Sequence, residues 1–124
     1  MSHSFQLQGA TENLWNPASA IGRTYLGVAE LVAAENPTFP ALETWLAEWT
    51  SDDYFIDPVG LAAYLRTVLD SSVVANPGYR ALTRGFLEIS LAMLFRAGGD
   101  IEAADADQAE LIEVGRELAR TMVR

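Results

Sequence analysis

Four of the five prolines in this chain directly follow an Asn or Asp: Asn16-Pro17, Asn36-Pro37, Asp57-Pro58 and Asn76-Pro77. Asn and Asp are strong helix N-caps, because the side-chain oxygen can accept from an amide that has no partner in the first turn. Proline at the first helical position gives up only such an amide. It also keeps the residue before it out of helical conformation. A chain punctuated in this way reads as a succession of short helices with fixed starts.

Apolar residues follow these pairs at helical spacing. After Asn16-Pro17, Ile21, Tyr25, Val28 and Val32 make one stripe of a helix that must stop near Asn36-Pro37. Trp15, just before the cap, is placed to close a hydrophobic staple on Ala20 or Ile21. Between Phe39 and Trp49, the residues Leu42, Trp45, Leu46 and Trp49 recur at the spacing of one helix face, with Glu43, Ala47 and Glu48 opposite. That pattern predicts a short amphipathic helix. Asp57-Pro58 predicts a helix through Asp70, with Leu61, Tyr64, Leu65 and Val68 inward.

Asn76-Pro77 opens the longest apolar segment. Leu82, Phe86, Ile89 and Met93 form one stripe, while Leu87, Leu91, Leu94 and Phe95 point in other directions. A helix apolar nearly all round belongs at the centre of a fold. Gly98-Gly99 ends it, and an acidic connection over 100–107 leads to a last helix from about Asp105 to Met122, its acidic residues early and its arginines late, as the helix dipole prefers. Leu111, Gly115, Leu118 and Met122 form its seam. Near the N-terminus, Ser4 to Gln8 alternate, placing Phe5 and Leu7 on one side of a strand. Its candidate partner is Tyr54 to Asp57. The expected fold is mainly α: one domain over residues 1–124, a compact bundle of about five helices around a central helix at about 76–97, with a short two-stranded ribbon at about 4–8 and 54–57.

A chain of 124 residues, half of them hydrophobic and one fifth charged, is long enough to bury a core of its own. There is no cysteine, which excludes disulfides, thiolate metal sites and a cysteine nucleophile. All eight basic residues are arginine, as GC-rich codon usage would give, and the lack of lysine excludes Schiff-base chemistry and a P-loop lysine. The net charge of −9 disfavours nucleic acid and anionic membranes and favours a partner with a basic surface. The segment "MSHSFQLQG" has neither the basic nor the apolar region of a secretion signal, and no apolar run approaches the roughly 18 residues of a membrane span. The expected location is cytoplasmic.

Few constellations invite chemistry. His3 is the single histidine, expected on a frayed terminus, so a Ser-His-Asp triad or a multi-histidine metal site is not available. The carboxylates Asp52, Asp53 and Asp57, and the run Asp100, Glu102, Asp105, Asp107 and Glu110, read as solvated loop and helix-start charges. The second run lacks the glycine and terminal glutamate of a calcium loop. No catalytic residue, cofactor or metal ligand is assigned.

Two sets remain. Phe39, Leu42, Trp45 and Trp49 read either as core or as an exposed aromatic patch for a protein partner, tryptophan being enriched in interface hot spots. Arg80, Arg84 and Glu88 form a polar stripe on the central helix, either as surface ion pairs or, together with Tyr25 and Tyr64, as the polar spot of an apolar cavity that holds a small ligand.

Four short motifs, in this order, carry a likeness: Leu14-Trp15-Asn16-Pro17, Ile56-Asp57-Pro58, Gly85-Phe86-Leu87 and Arg96-Ala97-Gly98. Together they resemble a family of small uncharacterised actinobacterial proteins, classed as a domain of unknown function. The resemblance implies a cytoplasmic bacterial protein and carries over no activity and no site residue.

The leading expectation is a non-enzymatic acidic binding protein, an immunity or adaptor protein for a basic protein partner. The alternative is a small helical enzyme or ligand-binding protein built on the cavity. A homodimer through the aromatic helix is a third, structural reading.

Overall fold

The computed structural model describes residues 1–10 and 12–124. The chain runs β1 (Ser4–Gln6), β2 (Asn13–Trp15), α1 (Ser19–Glu35), a 3-10 turn at Leu42–Thr44, β3 (Leu46–Glu48), β4 (Asp53–Ile56), α2 (Pro58–Leu69), α3 (Ser72–Ala75), α4 (Pro77–Arg96) and α5 (Ala106–Thr121). Three of the starts are caps of the expected kind. The Asp57 carboxylate accepts from the Val59 amide at 3.0 Å, the Asn76 side-chain oxygen from the Tyr79 amide at 3.0 Å, and Asp105 from the Gln108 amide at 2.9 Å.

The mainly α bundle with a two-stranded ribbon is not what forms. The fold is α+β, with a four-stranded mixed sheet in the order β2-β1-β4-β3. The two segments read as a ribbon do meet, but in parallel, Phe5 beside Tyr54, as the inner pair of a larger sheet. The edges come from segments read otherwise. Asn13–Trp15, read as the approach to a helix, pairs antiparallel with β1. Leu46–Glu48, read as helix, pairs antiparallel with β4, Ala47 opposite Phe55.

The predicted helix over Phe39–Trp49 fails because the sheet offers its backbone more. The Asp57 amide donates to the Trp45 carbonyl and the Trp49 amide to the Asp53 carbonyl, each at 2.9 Å, closing a hairpin that helix formation would forfeit. Gly60 lets α2 dock directly on this segment: a Cβ there would lie 1.9 Å from the Thr44 carbonyl oxygen.

The start of α1 is corrected as well. Its N-cap is Ala18, and no side chain caps it. Residues before it stay extended because they continue the strand pairing: the His3 amide donates to the Pro17 carbonyl at 3.0 Å, and Ser2 bridges Ala18. Trp15 is therefore no staple; it stacks on Phe5 at 5.3 Å in the core. Nor is His3 frayed: only 4% of its surface is exposed.

The helices cover one face of the sheet. Phe5 meets Tyr25 edge-on at 5.5 Å, Tyr25 meets Phe86 at 5.1 Å, and Trp45 tilts against Tyr64 at 5.2 Å, an aromatic seam from sheet to helices. From Phe86 to Leu94, α4 is buried except at Glu88 and Ile89, which are half-buried. It packs closely on α5, where a Cβ on Gly115 would lie 2.6 Å from the Leu91 Cβ. The stripes of α1 and α4 are rotated from expectation, however, since Ile21 and Leu82 are 55% and 85% exposed. Spacing defines a stripe but not which neighbour covers each part of it. No helix is long and apolar enough to cross a membrane, among the described residues.

Candidate functional site

Between Arg23 and Arg66 the chain carries seven acidic residues, Glu30, Glu35, Glu43, Glu48, Asp52, Asp53 and Asp57, and no basic one. The fold does not bring arginines over to neutralise them. Arg66, Arg80, Arg84, Arg116, Arg120 and Arg124 pair with Asp70, Asp107, Glu88, Glu110, Asp100, Glu117 and Glu12. None of those carboxylates lies within the acidic stretch. Arg96 is occupied with carbonyl oxygens of Leu14, Ala119 and Met122. His3 is the nearest cationic candidate, its Nδ1 4.0 Å from an Asp52 oxygen. Five of the seven, Glu43, Glu48, Asp52, Asp53 and Asp57, lie in or beside β3 and β4, and no arginine is paired with them.

The β3–β4 hairpin orients these groups. Side chains alternate across a strand, so Phe5, Tyr54, Ile56 and Leu46 turn inward while Ser4, Ala47, Asp53 and Phe55 occupy the face the helices do not cover. On that outer face Trp49 stacks on Phe55 at 5.2 Å with 61% of its surface exposed. Beside them lies a hollow of about 400 Å³ lined by Leu7, Glu43, Ala47, Phe55 and Asp57, among others.

Local hydrogen bonds hold Asp53 ionised: the hydroxyls of Ser4 and, at 2.6 Å, Thr50 donate to it and lower its pKa. Tyr54, on the inner side of the same strand, is shifted the other way, first by burial and then by the negative charges of Glu48, Asp52 and Glu30. The two shifts have different causes: hydroxyl donors act on Asp53, whereas burial and then negative neighbours act on Tyr54.

The four residues expected to form one aromatic patch are divided. Trp45 is buried, with 1% exposed, and Phe39 and Leu42 are half-buried against the core; Trp49 alone reaches solvent. The five residues of the alternative set do not converge either. Arg84 pairs with Glu88 at 2.8 Å and Glu110 at 3.1 Å, and Arg80 with the Val74 carbonyl and Asp107, all at the α4–α5 side. Tyr25 is inside, sharing a hydrogen bond of 2.6 Å with Ser90, and burial raises its pKa far above the ordinary value. Burial also pushes the Tyr64 hydroxyl up to about 12. Both tyrosines are neutral at physiological pH, away from the arginines that would share a ligand with them.

Phe55 was read only as a strand residue, and Glu48 and Asp53 only as surface charge. The signal that could have gathered them was the missing arginine between positions 23 and 66. Among the described residues, no group of three or more His, Asp or Glu side chains is placed to hold a metal ion.

No curated protein and no solved structure matches the chain. Residues 1–124 match the model of a family of unknown function (DUF6086), and the chain belongs to that family.

Proposed function

We propose that this is a non-enzymatic acidic binding protein, an immunity or adaptor protein that takes a basic protein segment on its β3–β4 face. The observation that carries this reading is the exposed Trp49–Phe55 stack at the centre of an acidic stretch with no arginine of its own. The two features have different roles. Uncompensated charge attracts a basic surface over about a Debye length and raises the association rate. An exposed aromatic pair supplies the apolar area that slows departure once water is excluded. The same charge works against nucleic acid and anionic membranes, whose phosphates need a basic face. The setting that goes with this reading is the cytoplasm of a bacterium, an actinobacterial one on the Leu14-to-Pro17 motif and the all-arginine usage.

The test uses a synthetic peptide alternating Arg and Leu, titrated into the isotopically labelled protein, with a Glu-Leu peptide as control. Backbone and indole resonances of residues 46–57 should shift with the Arg peptide alone. Trp49→Ala should speed dissociation, while Glu48→Gln combined with Asp52→Asn should slow association, and raising the salt should weaken binding. Shifts confined to other elements, or binding insensitive to salt, would overturn the reading.

A further inference from the structure

The other conspicuous surface lies between α1 and α4. Two adjoining hollows, of about 430 and 560 Å³, share Val28 and Leu82 in their linings and together make one groove along the helix pair. Ile21, Leu31 and Leu82 stand over it, 55%, 60% and 85% exposed. Gly85 lies in its wall, and a Cβ built there would meet nothing within 4 Å, so the wall is open to a neighbour. Contiguous exposed apolar surface of this kind marks an interaction site.

Charge narrows the occupant. Glu35 is the one charged residue lining either hollow, in a chain of which one fifth is charged. A basic partner finds a single counter-charge here, so the groove is not an extension of the acidic face. Two copies of a chain with net charge −9 repel each other, and the surface through which they can meet is the one where charge is sparsest, a single Glu35. Shape gives a second argument. An isologous contact needs protrusion and recess on the same patch, and this patch has both: Leu82 projects between two hollows that would receive the Leu82 of another copy.

We propose that the α1–α4 groove is a homodimer interface, each copy seating Leu82 and Leu31 in the groove of the other. The proposal is independent of the acidic-face reading, because no residue lining the groove belongs to β3 or β4.

Sedimentation velocity over a concentration series tests it on the full chain. Wild type should run as a dimer at the upper end. Leu82→Glu should raise the dissociation constant roughly tenfold or more, from the loss of one buried Leu and the burial of a charge. Because Leu82 is exposed, the variant should keep its monomer fold, read by circular dichroism. Val59→Glu, at a site 79% exposed on α2, adds the same charge elsewhere and should change the dimer little. Dimerisation should also tighten as salt rises and repulsion is screened. A wild type that stays monomeric across the series, a Leu82→Glu protein that still dimerises, or equal loss with Val59→Glu would each overturn the proposal.

Discussion

The β3–β4 face and the α1–α4 groove are built from opposite materials. The first has an aromatic pair set among carboxylates that no arginine reaches; the second is lined by aliphatic and aromatic side chains with a single glutamate. A charged face acts beyond contact and is sensitive to ions, while an uncharged one acts only on touching. Raising the salt should therefore weaken what binds the first and strengthen what binds the second. One protein can present both without their interfering, because Arg66, Arg80, Arg84 and Arg116 are held in ion pairs around α4, α5 and the end of α2.

The largest effects should come from breaking what holds each surface in place. Trp45→Ala should cost about 3–5 kcal/mol and Phe86→Ala a similar amount, because both rings are buried in the core beneath the two surfaces. Trp49→Ala should cost only about 0.5–1.5 kcal/mol, the worth of its exposed stack on Phe55. Urea denaturation gives all three values, and equal losses for Trp45 and Trp49 would erase the division between core and surface tryptophan.

Smaller effects sharpen the contrast at the ends of the helices that frame the groove. Asn76→Ala should cost on the order of 1 kcal/mol, since its side chain satisfies the Tyr79 amide at the start of α4. Asn16→Ala should be near neutral or stabilising, because the buried Asn16 side-chain oxygen has no hydrogen-bond partner to lose. Thermal unfolding of the pair would show whether an Asn-Pro sequence acts as a cap only where a helix begins directly behind it.

The smallest effect concerns pH on the acidic face. The folded pKa of Asp53 is depressed below its ordinary 3.8 by the Ser4 and Thr50 hydroxyls. Its contribution to stability is therefore present above the unfolded pKa and is lost as pH falls through the folded one. Ser4→Ala should move the Asp53 titration upward toward its ordinary position, so that this contribution fades at a higher pH. Carbon-detected carboxyl titration reads the shift directly, and no change would remove the Ser4 hydroxyl as its main cause.

The contrast also explains what could be read in advance. The helices α2, α4 and α5 were legible because caps at Asp57, Asn76 and Asp105 precede long apolar stripes. The sheet was not, because strands of three or four residues are too short to show a period, and the parallel contact of Phe5 with Tyr54 has no local sign. The spacing of Leu42, Trp45, Leu46 and Trp49 suits a helix, yet the hairpin bonds from Trp45 and Trp49 decided the matter. For the candidate sites, Trp45 and Trp49 are alike in sequence and separated only by tertiary packing. Leu82 was expected inward with Phe86 and is 85% exposed, and no pattern within α4 could say that α1 would leave it uncovered.

The parallel pairing of β1 with β4 also bears on the order in which the molecule assembles. Ser4 and Asp53 stand 49 positions apart, whereas α4 and α5 are joined by a short connection. Contacts between distant segments bear the cost of closing a long loop before they give anything back, so the helical hairpin is expected to form early and the sheet late. Substitutions at Phe5 should then quicken unfolding and leave the folding rate nearly unchanged, whereas those at Leu91 or Leu111 should slow folding itself. The acidic face rests on the strand pair completed last. A chain caught partway through folding would already own its helical hairpin while the surface proposed to hold its partner had yet to exist.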